Sequence, residues 1–105
     1  AFDDDKDMLS SNGILNTKLL YADDVVFPLI VDEVLIGRLD SVDLVIDEVA
    51  VSRVHAKVVR EGSLCVVMDL RSKTGTRVNG KSVERHELRD GDVIEIGKTS
   101  LKYCE

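Results

Sequence analysis

Tryptophan is absent from this chain of 105 residues, and aromatic residues make up only 4% of it. A core without large flat rings must be filled by branched aliphatic side chains, and Val, Leu and Ile dominate the apolar 44%. Such residues suit the pleated, half-buried surface of strands. A cationic excess is missing too: 14 Lys and Arg stand against 20 Asp and Glu, a formal net charge of −6. With neither a basic stripe to track a phosphate backbone nor aromatics on which bases could stack, nucleic acid is not expected as a partner. The charge is uneven, because residues 1–24 hold six aspartates against Lys6 and Lys18 and so carry −4 of the −6.

No apolar run approaches the ~18 residues that a membrane span requires, and the first residues do not resemble a signal peptide. An intracellular domain away from membranes is therefore expected. The two cysteines, Cys65 and Cys104, lie inside apolar runs rather than in a CxxC, which reads as two buried reduced thiols. His55 and His86 are the only imidazoles and no spaced Cys/His set exists, so neither a metal nor another cofactor is expected. Asp90-Gly91-Asp92 lacks the alternating ligands of a calcium loop and reads as a turn.

What is present is organised as one domain behind a leader. Residues 1–15 are acidic and then turn-rich, with little to bury, and are expected to be flexible. From residue 16 to residue 105, short apolar clusters alternate with turn signals. Strands are expected at Thr17 to Tyr21, Val25 to Val31, Val34 to Gly37, Leu44 to Ile46, His55 to Arg60, Leu64 to Leu70, Arg77 to Val78, around Val83, Val93 to Ile96 and Ser100 to Cys104. Glu61-Gly62-Ser63, Asn79-Gly80, Asp90-Gly91 and Gly97-Lys98 supply the turns, Asn79-Gly80 being the strongest hairpin signal. Pro28, the single proline, assigns its strand to a sheet edge or a bulge. No long segment repeats every 3.6 residues. The expected fold is all-β: a two-sheet antiparallel sandwich with essentially no helix.

Polar groups recur where the apolar runs stop. Gly37-Arg38 is followed by Val51-Ser52-Arg53-Val54-His55-Ala56, Asp69-Leu70, Ser72-Lys73-Thr74-Gly75-Thr76, Val78-Asn79-Gly80 and Leu88-Arg89-Asp90-Gly91-Asp92-Val93-Ile94. In order and spacing these motifs resemble the forkhead-associated (FHA) domain family from about Leu35 to the C-terminus. The resemblance implies about eleven strands and loops at one rim that bind a peptide carrying phosphothreonine. It matches Arg38 and Ser52 to phosphate-contacting positions, Lys73 to a phosphate-proximal one, and Arg53 and Thr74 to positions that hold the peptide. Gly37, His55, Gly75 and Asn79 match positions that shape or brace loops.

The chemistry is coherent on its own terms. A phosphomonoester near neutral pH carries about −1.5 to −2 charges and three acceptor oxygens, so it suits a guanidinium fork, hydroxyl donors and backbone N–H groups on pre-set loops. Two departures from the family's pattern stand out. Thr74 replaces the usual Asn before Gly75, which shortens the reach toward a peptide backbone. Asp47 and Glu48 give acids and no base to the loop that the family uses to read the third residue after the phosphothreonine, so an aliphatic or basic residue is expected there. Thr17-Lys18-Leu19-Leu20 would fit such a ligand, allowing self-association if Thr17 were phosphorylated; otherwise a monomer is expected.

Two enzymatic readings fail on local chemistry. Cys65 to Arg71 has the C-x5-R spacing of cysteine phosphatases, but bulky residues in an extended run cannot wrap a phosphate with backbone N–H groups. Ser52 and His55 lack an oxyanion loop and a third orienting group. The expected role is non-catalytic docking, with a phosphate-independent assembly surface as the alternative.

Overall fold

The computed structural model describes residues 18–22 and 25–105. The acidic leader and Thr17 lie outside these residues. Eleven strands follow in chain order: β1 (Lys18–Ala22), β2 (Val25–Leu29), β3 (Glu33–Gly37), β4 (Leu44–Val45), β5 (Ala56–Glu61), β6 (Leu64–Asp69), β7 (Thr76–Val78), β8 (Lys81–Val83), β9 (Arg85–Glu87), β10 (Val93–Ile96) and β11 (Thr99–Cys104). They form a five-stranded sheet, β9-β6-β5-β3-β4, and a six-stranded sheet, β2-β1-β11-β10-β7-β8. No helix occurs among the described residues.

Period-two patterning decides what each sheet turns inward. Val34, Ile36, Ala56, Val58, Cys65 and Val67 from one sheet meet Leu20, Leu29, Val78, Ile94, Ile96, Leu101 and Tyr103 from the other. Aliphatic residues thus supply most of this core, and Tyr103 is its largest buried side chain. Burial also defines Tyr103 electrostatically: desolvation, with neighbouring Cys65 and Glu105, raises its phenol well above the ordinary value.

Several local expectations match the backbone. Pro28 lies on β2, an edge of the six-stranded sheet, where a missing N–H costs no ladder bond. Asn79 and Gly80, at φ 52° and 85°, close β7 onto β8 as a two-residue turn that needs positive φ at both positions. Two features refine the expected sandwich. The sandwich is not purely antiparallel, because β3 pairs with β4 in parallel through Ile36–Leu44 and Gly37–Val45. The intervening loop reverses the chain twice, held by Leu35 N–H on Asp43 Oδ2 (2.8 Å) and Val42 N–H on the Leu39 carbonyl (3.3 Å). Strand β9 was not anticipated: Arg85-His86-Glu87 carries no apolar signal and exists through its ladder with β6.

These assignments separate core from rim energetically. Truncating Ile96→Ala, at a fully buried position, is expected to cost about 2–5 kcal/mol in urea unfolding. Val49→Ala, at a residue 96% exposed, should change stability by less than about 0.5 kcal/mol.

Candidate functional site

The site begins where β3 ends. Gly37 leaves no room for a side chain, because a Cβ there would stand 2.2 Å from the Arg53 carbonyl oxygen. That close approach lets the next residues bind the crossing loop. Arg38 N–H donates to the Ser52 and Arg53 carbonyls (3.1 and 3.0 Å), and Leu39 N–H to Arg53 (3.2 Å). The Arg38 side chain then folds back so that Nε–H donates to the Val51 carbonyl at 2.9 Å. One edge of the guanidinium is fixed by backbone, while its Nη groups make no hydrogen bond to the described residues.

Ser52 is held from both sides. Its backbone N–H donates to His55 Nδ1 (3.1 Å), and its Oγ accepts Lys73 N–H (2.8 Å). With the oxygen already accepting, the hydroxyl hydrogen is free for another partner. The same bond brings the Lys73 backbone, 21 residues later, against Ser52. Arg38, Ser52 and Lys73 are therefore joined by direct hydrogen bonds at one rim.

His55 is completely buried. Its N–H donates to Ile36 (2.8 Å), its carbonyl accepts Leu70 N–H (2.9 Å), and Nε2 meets the Gly75 carbonyl at 2.8 Å. Nδ1 faces an N–H and can only accept, so Nε2 must carry the hydrogen and donate. This imidazole holds the Ser52 segment and the 70–75 loop together. Ser52 has no hydrogen bond from its hydroxyl to the ring, so the two residues do not form an activated nucleophile.

The 70–75 loop has its own centre in Asp69. The carboxylate accepts the Ser72 hydroxyl, the Ser72 N–H (3.1 Å) and the Thr76 hydroxyl (2.7 Å), and Ser72 Oγ in turn accepts Gly75 N–H (2.9 Å). Desolvation pushes Asp69 upward, but the hydrogen bonds from Ser72 and Thr76 outweigh it and hold the carboxyl below its ordinary value. Arg53, Lys73 and Thr74 are exposed at the rim. Thr74 spends its hydroxyl hydrogen on the Ala50 carbonyl (2.8 Å), leaving lone pairs to face a ligand.

Asn79 stands apart. Its side chain donates to Asp92 Oδ1 (2.9 Å) and accepts Val93 N–H (3.0 Å), closing the opposite end of β7 from the 70–75 loop. Asp92 also receives Arg89 N–H and faces His86 Nε2 at 3.0 Å. These contacts brace the turn before β10 rather than the rim at Ser52.

The 47–51 segment departs from what its acids suggest. Glu48 turns its carboxylate onto Lys98 N–H (2.8 Å) and the Thr99 hydroxyl. Val49 is 96% exposed. From the neighbouring Ala50 a groove of about 140 Å³ runs along Thr74, Gly75, Gly97 and Lys98 and is also lined by the Arg77–Glu95 pair. Lys98 thus brings a cation to the segment from the β10–β11 turn. Sequence spacing could not reveal this, since Glu48 and Lys98 are 50 residues apart.

A two-sheet sandwich carrying its polar loops at one rim is a recurrent architecture for docking modules. This chain belongs to the FHA family: residues 34–97 match the FHA domain model. It is 43% identical over 70 residues, 67% of its length, to the ABC transporter ATP-binding/permease protein Rv1747 of Mycobacterium tuberculosis, spanning 8% of that protein. A solved structure concerned with phosphothreonine-dependent FHA domain interactions superposes with a TM-score of 0.80 at 29% identity, over 85% of this chain and 96% of the other. Mycobacterium tuberculosis EmbR in complex with a low-affinity phosphopeptide superposes at 0.81 and 33% identity, over 84% of this chain and 24% of EmbR.

Because Asp69 titrates below its unfolded value, its contribution to stability is complete above the ordinary aspartate pKa of about 3.9 and is lost as pH falls through the lowered folded value. Asp69→Asn is expected to be less stable at pH 7 and to show a flatter loss of stability below pH 5. Urea midpoints measured for both proteins across that range test this.

Proposed function

We propose that this domain is a non-catalytic module that docks phosphothreonine-bearing segments of partner proteins. The single observation that supports this most is the hydrogen-bonded meeting of Arg38, Ser52 and Lys73 at one rim. Arg38 offers its Nη edge to phosphate, Ser52 its hydroxyl hydrogen, and Lys73 a positive charge on an exposed side chain. Arg53 and Thr74 flank this cradle and hold the adjoining peptide. Gly37, His55 and Gly75 keep the loops in place.

Magnitudes agree with reversible recruitment. Three or four charge-assisted hydrogen bonds at about 1.5–3 kcal/mol each give roughly 5–12 kcal/mol, the same order as the ~8 kcal/mol of micromolar binding, with peptide contacts offsetting the ordering costs. Phosphate must supply most of that sum. The exposed Val49, with Ala50 beside it, favours an aliphatic residue at the third position after the phosphothreonine. Glu48 is engaged by Lys98 and Thr99, so it does not draw in a basic one.

Phosphatase chemistry is poorly served, since Cys65 is buried in β6 at 2% exposure. The unpaired cysteines support an intracellular setting. No helix among the described residues is long and apolar enough to cross a membrane.

Calorimetric titration of a phosphothreonine peptide library should give micromolar binding that falls at least about a hundredfold in Arg38→Ala, the loss of roughly two charge-assisted bonds. Equal binding of phosphorylated and unphosphorylated peptides would instead support a phosphate-independent assembly surface. Within the same library, Val, Ile or Leu at the third following position should outbind Asp. A preference for Asp overturns that assignment.

A further inference from the structure

The segment that orients Arg38 is itself tied to the six-stranded sheet, through hydrogen bonds made by one side chain, Glu48, beside the buried Val51. Glu48 opens a tight turn in which Val51 N–H donates to the Glu48 carbonyl (3.1 Å). The two carbonyls presented by that turn are the ones the rim uses: Val51 receives Arg38 Nε–H (2.9 Å) and Ala50 receives the Thr74 hydroxyl (2.8 Å). At the head of the turn the Glu48 carboxylate grips the β10–β11 turn through Lys98 N–H (2.8 Å) and the Thr99 hydroxyl. The two turns are in tight contact, because a Cβ on Gly97 would meet Val51 Cγ2 at 2.9 Å and Glu48 Oε1 at 3.0 Å. Val49 at the tip is 96% exposed, while Val51 at the end of the turn is buried in the core, so the turn has one apolar anchor at its end and the Glu48 clasp at its head.

We propose that Glu48 is a positioning residue for the phosphate cradle, its carboxylate clasping Lys98 and Thr99 so that the Val51 and Ala50 carbonyls hold Arg38 and Thr74 in place. The inference rests on the phosphopeptide reading for its functional meaning, but the clasp is a property of the unliganded domain. Consistent with an ionised clasp, the hydrogen bonds from Thr99 and Lys98 hold the Glu48 carboxyl below its ordinary range against a smaller opposing effect of burial. The gain is preorganisation: a fork already oriented loses less rotamer entropy when phosphate arrives.

The test compares Glu48→Ala, Glu48→Gln and Thr99→Val with wild type, using thermal unfolding, phosphothreonine-peptide titration and the Arg38 Nε–H signal in ¹H–¹⁵N spectra of the free domain. Glu48→Ala should remain folded, lose the hydrogen-bonded Arg38 Nε–H signal to exchange with water, and bind about five- to tenfold more weakly, the effect of lost preorganisation. Glu48→Gln keeps one acceptor, for Lys98 N–H, and its amide N–H can donate to the Thr99 hydroxyl oxygen in place of the second bond, so it should restore the signal and most of the affinity. Thr99→Val, which removes one of the two donors, should fall between. An unchanged Arg38 signal in both Glu48→Ala and Thr99→Val overturns the inference, whatever the peptide data show. If Arg38→Ala binds like wild type, the phosphopeptide reading fails instead, while the Nε–H signal still reports on the clasp. Should Glu48→Ala not fold, Thr99→Val and Glu48→Gln decide through the same signal.

Discussion

The buried His55 imidazole is the interaction on which the rim depends. It has one polar face toward the Ser52 N–H and the other toward the Gly75 carbonyl, and its own backbone is shared between β3 and Leu70. A completely buried imidazole with either nitrogen unpartnered would be costly. Both nitrogens are satisfied here by placing the Ser52 segment and the 70–75 loop on either side of the ring. Two loops distant in sequence thereby acquire a fixed spacing, and the sandwich needs no ligand to set it. A phenyl ring could fill the space but could not select that spacing.

From this tie the direction of each rim donor follows. Lys73 N–H occupies the Ser52 oxygen, Val51 occupies Arg38 Nε, and Ala50 occupies the Thr74 hydroxyl hydrogen. Each internal bond removes one choice from a side chain that would otherwise rotate freely. What is left over is complementary to an anion: an Nη edge, a hydroxyl hydrogen and a lysine charge. Thr74 is left with lone pairs, which suit a peptide N–H better than a phosphate. The Asp69 network does the same work one layer below, because Ser72 can orient Gly75 N–H only while Asp69 receives the Ser72 hydroxyl.

Much of this was legible in the sequence, and the exceptions have physical reasons. Strands β3, β5, β6, β10 and β11 announce themselves by alternating aliphatic residues, and Asn79-Gly80 marks its hairpin because few other pairs tolerate positive φ twice. The motifs around Gly37-Arg38, Ser52 to His55 and Ser72 to Gly75 give the rim residues in order. Strand β9 escaped because Arg85-His86-Glu87 is polar throughout and owes its conformation to β6. The parallel β3–β4 pair escaped because two residues of ladder leave no periodic signature. Glu48 reads in the sequence only as an acid in a loop, since a sequence does not show that a carboxylate is already engaged by a backbone N–H fifty positions away. Isolated charges in loops are legible as charge; whether that charge is available is a question of tertiary structure.

Availability also bounds what the rim can discriminate. Phosphate carries nearly the same oxygens on serine as on threonine, so the polar cradle alone scarcely separates them. Burying one additional methyl contributes about 0.8 kcal/mol, close to a fourfold ratio. A sharper preference would require the loops to resist the rearrangement that an unbranched residue permits, which is a matter of stiffness rather than of contact number. In this domain stiffness comes from the His55 tie and from the turn beginning at Glu48, neither of which needs to touch the ligand. Selectivity at the binding rim would then be set by residues one step removed from it, in proportion to how little the Val51 and Gly75 carbonyls can move.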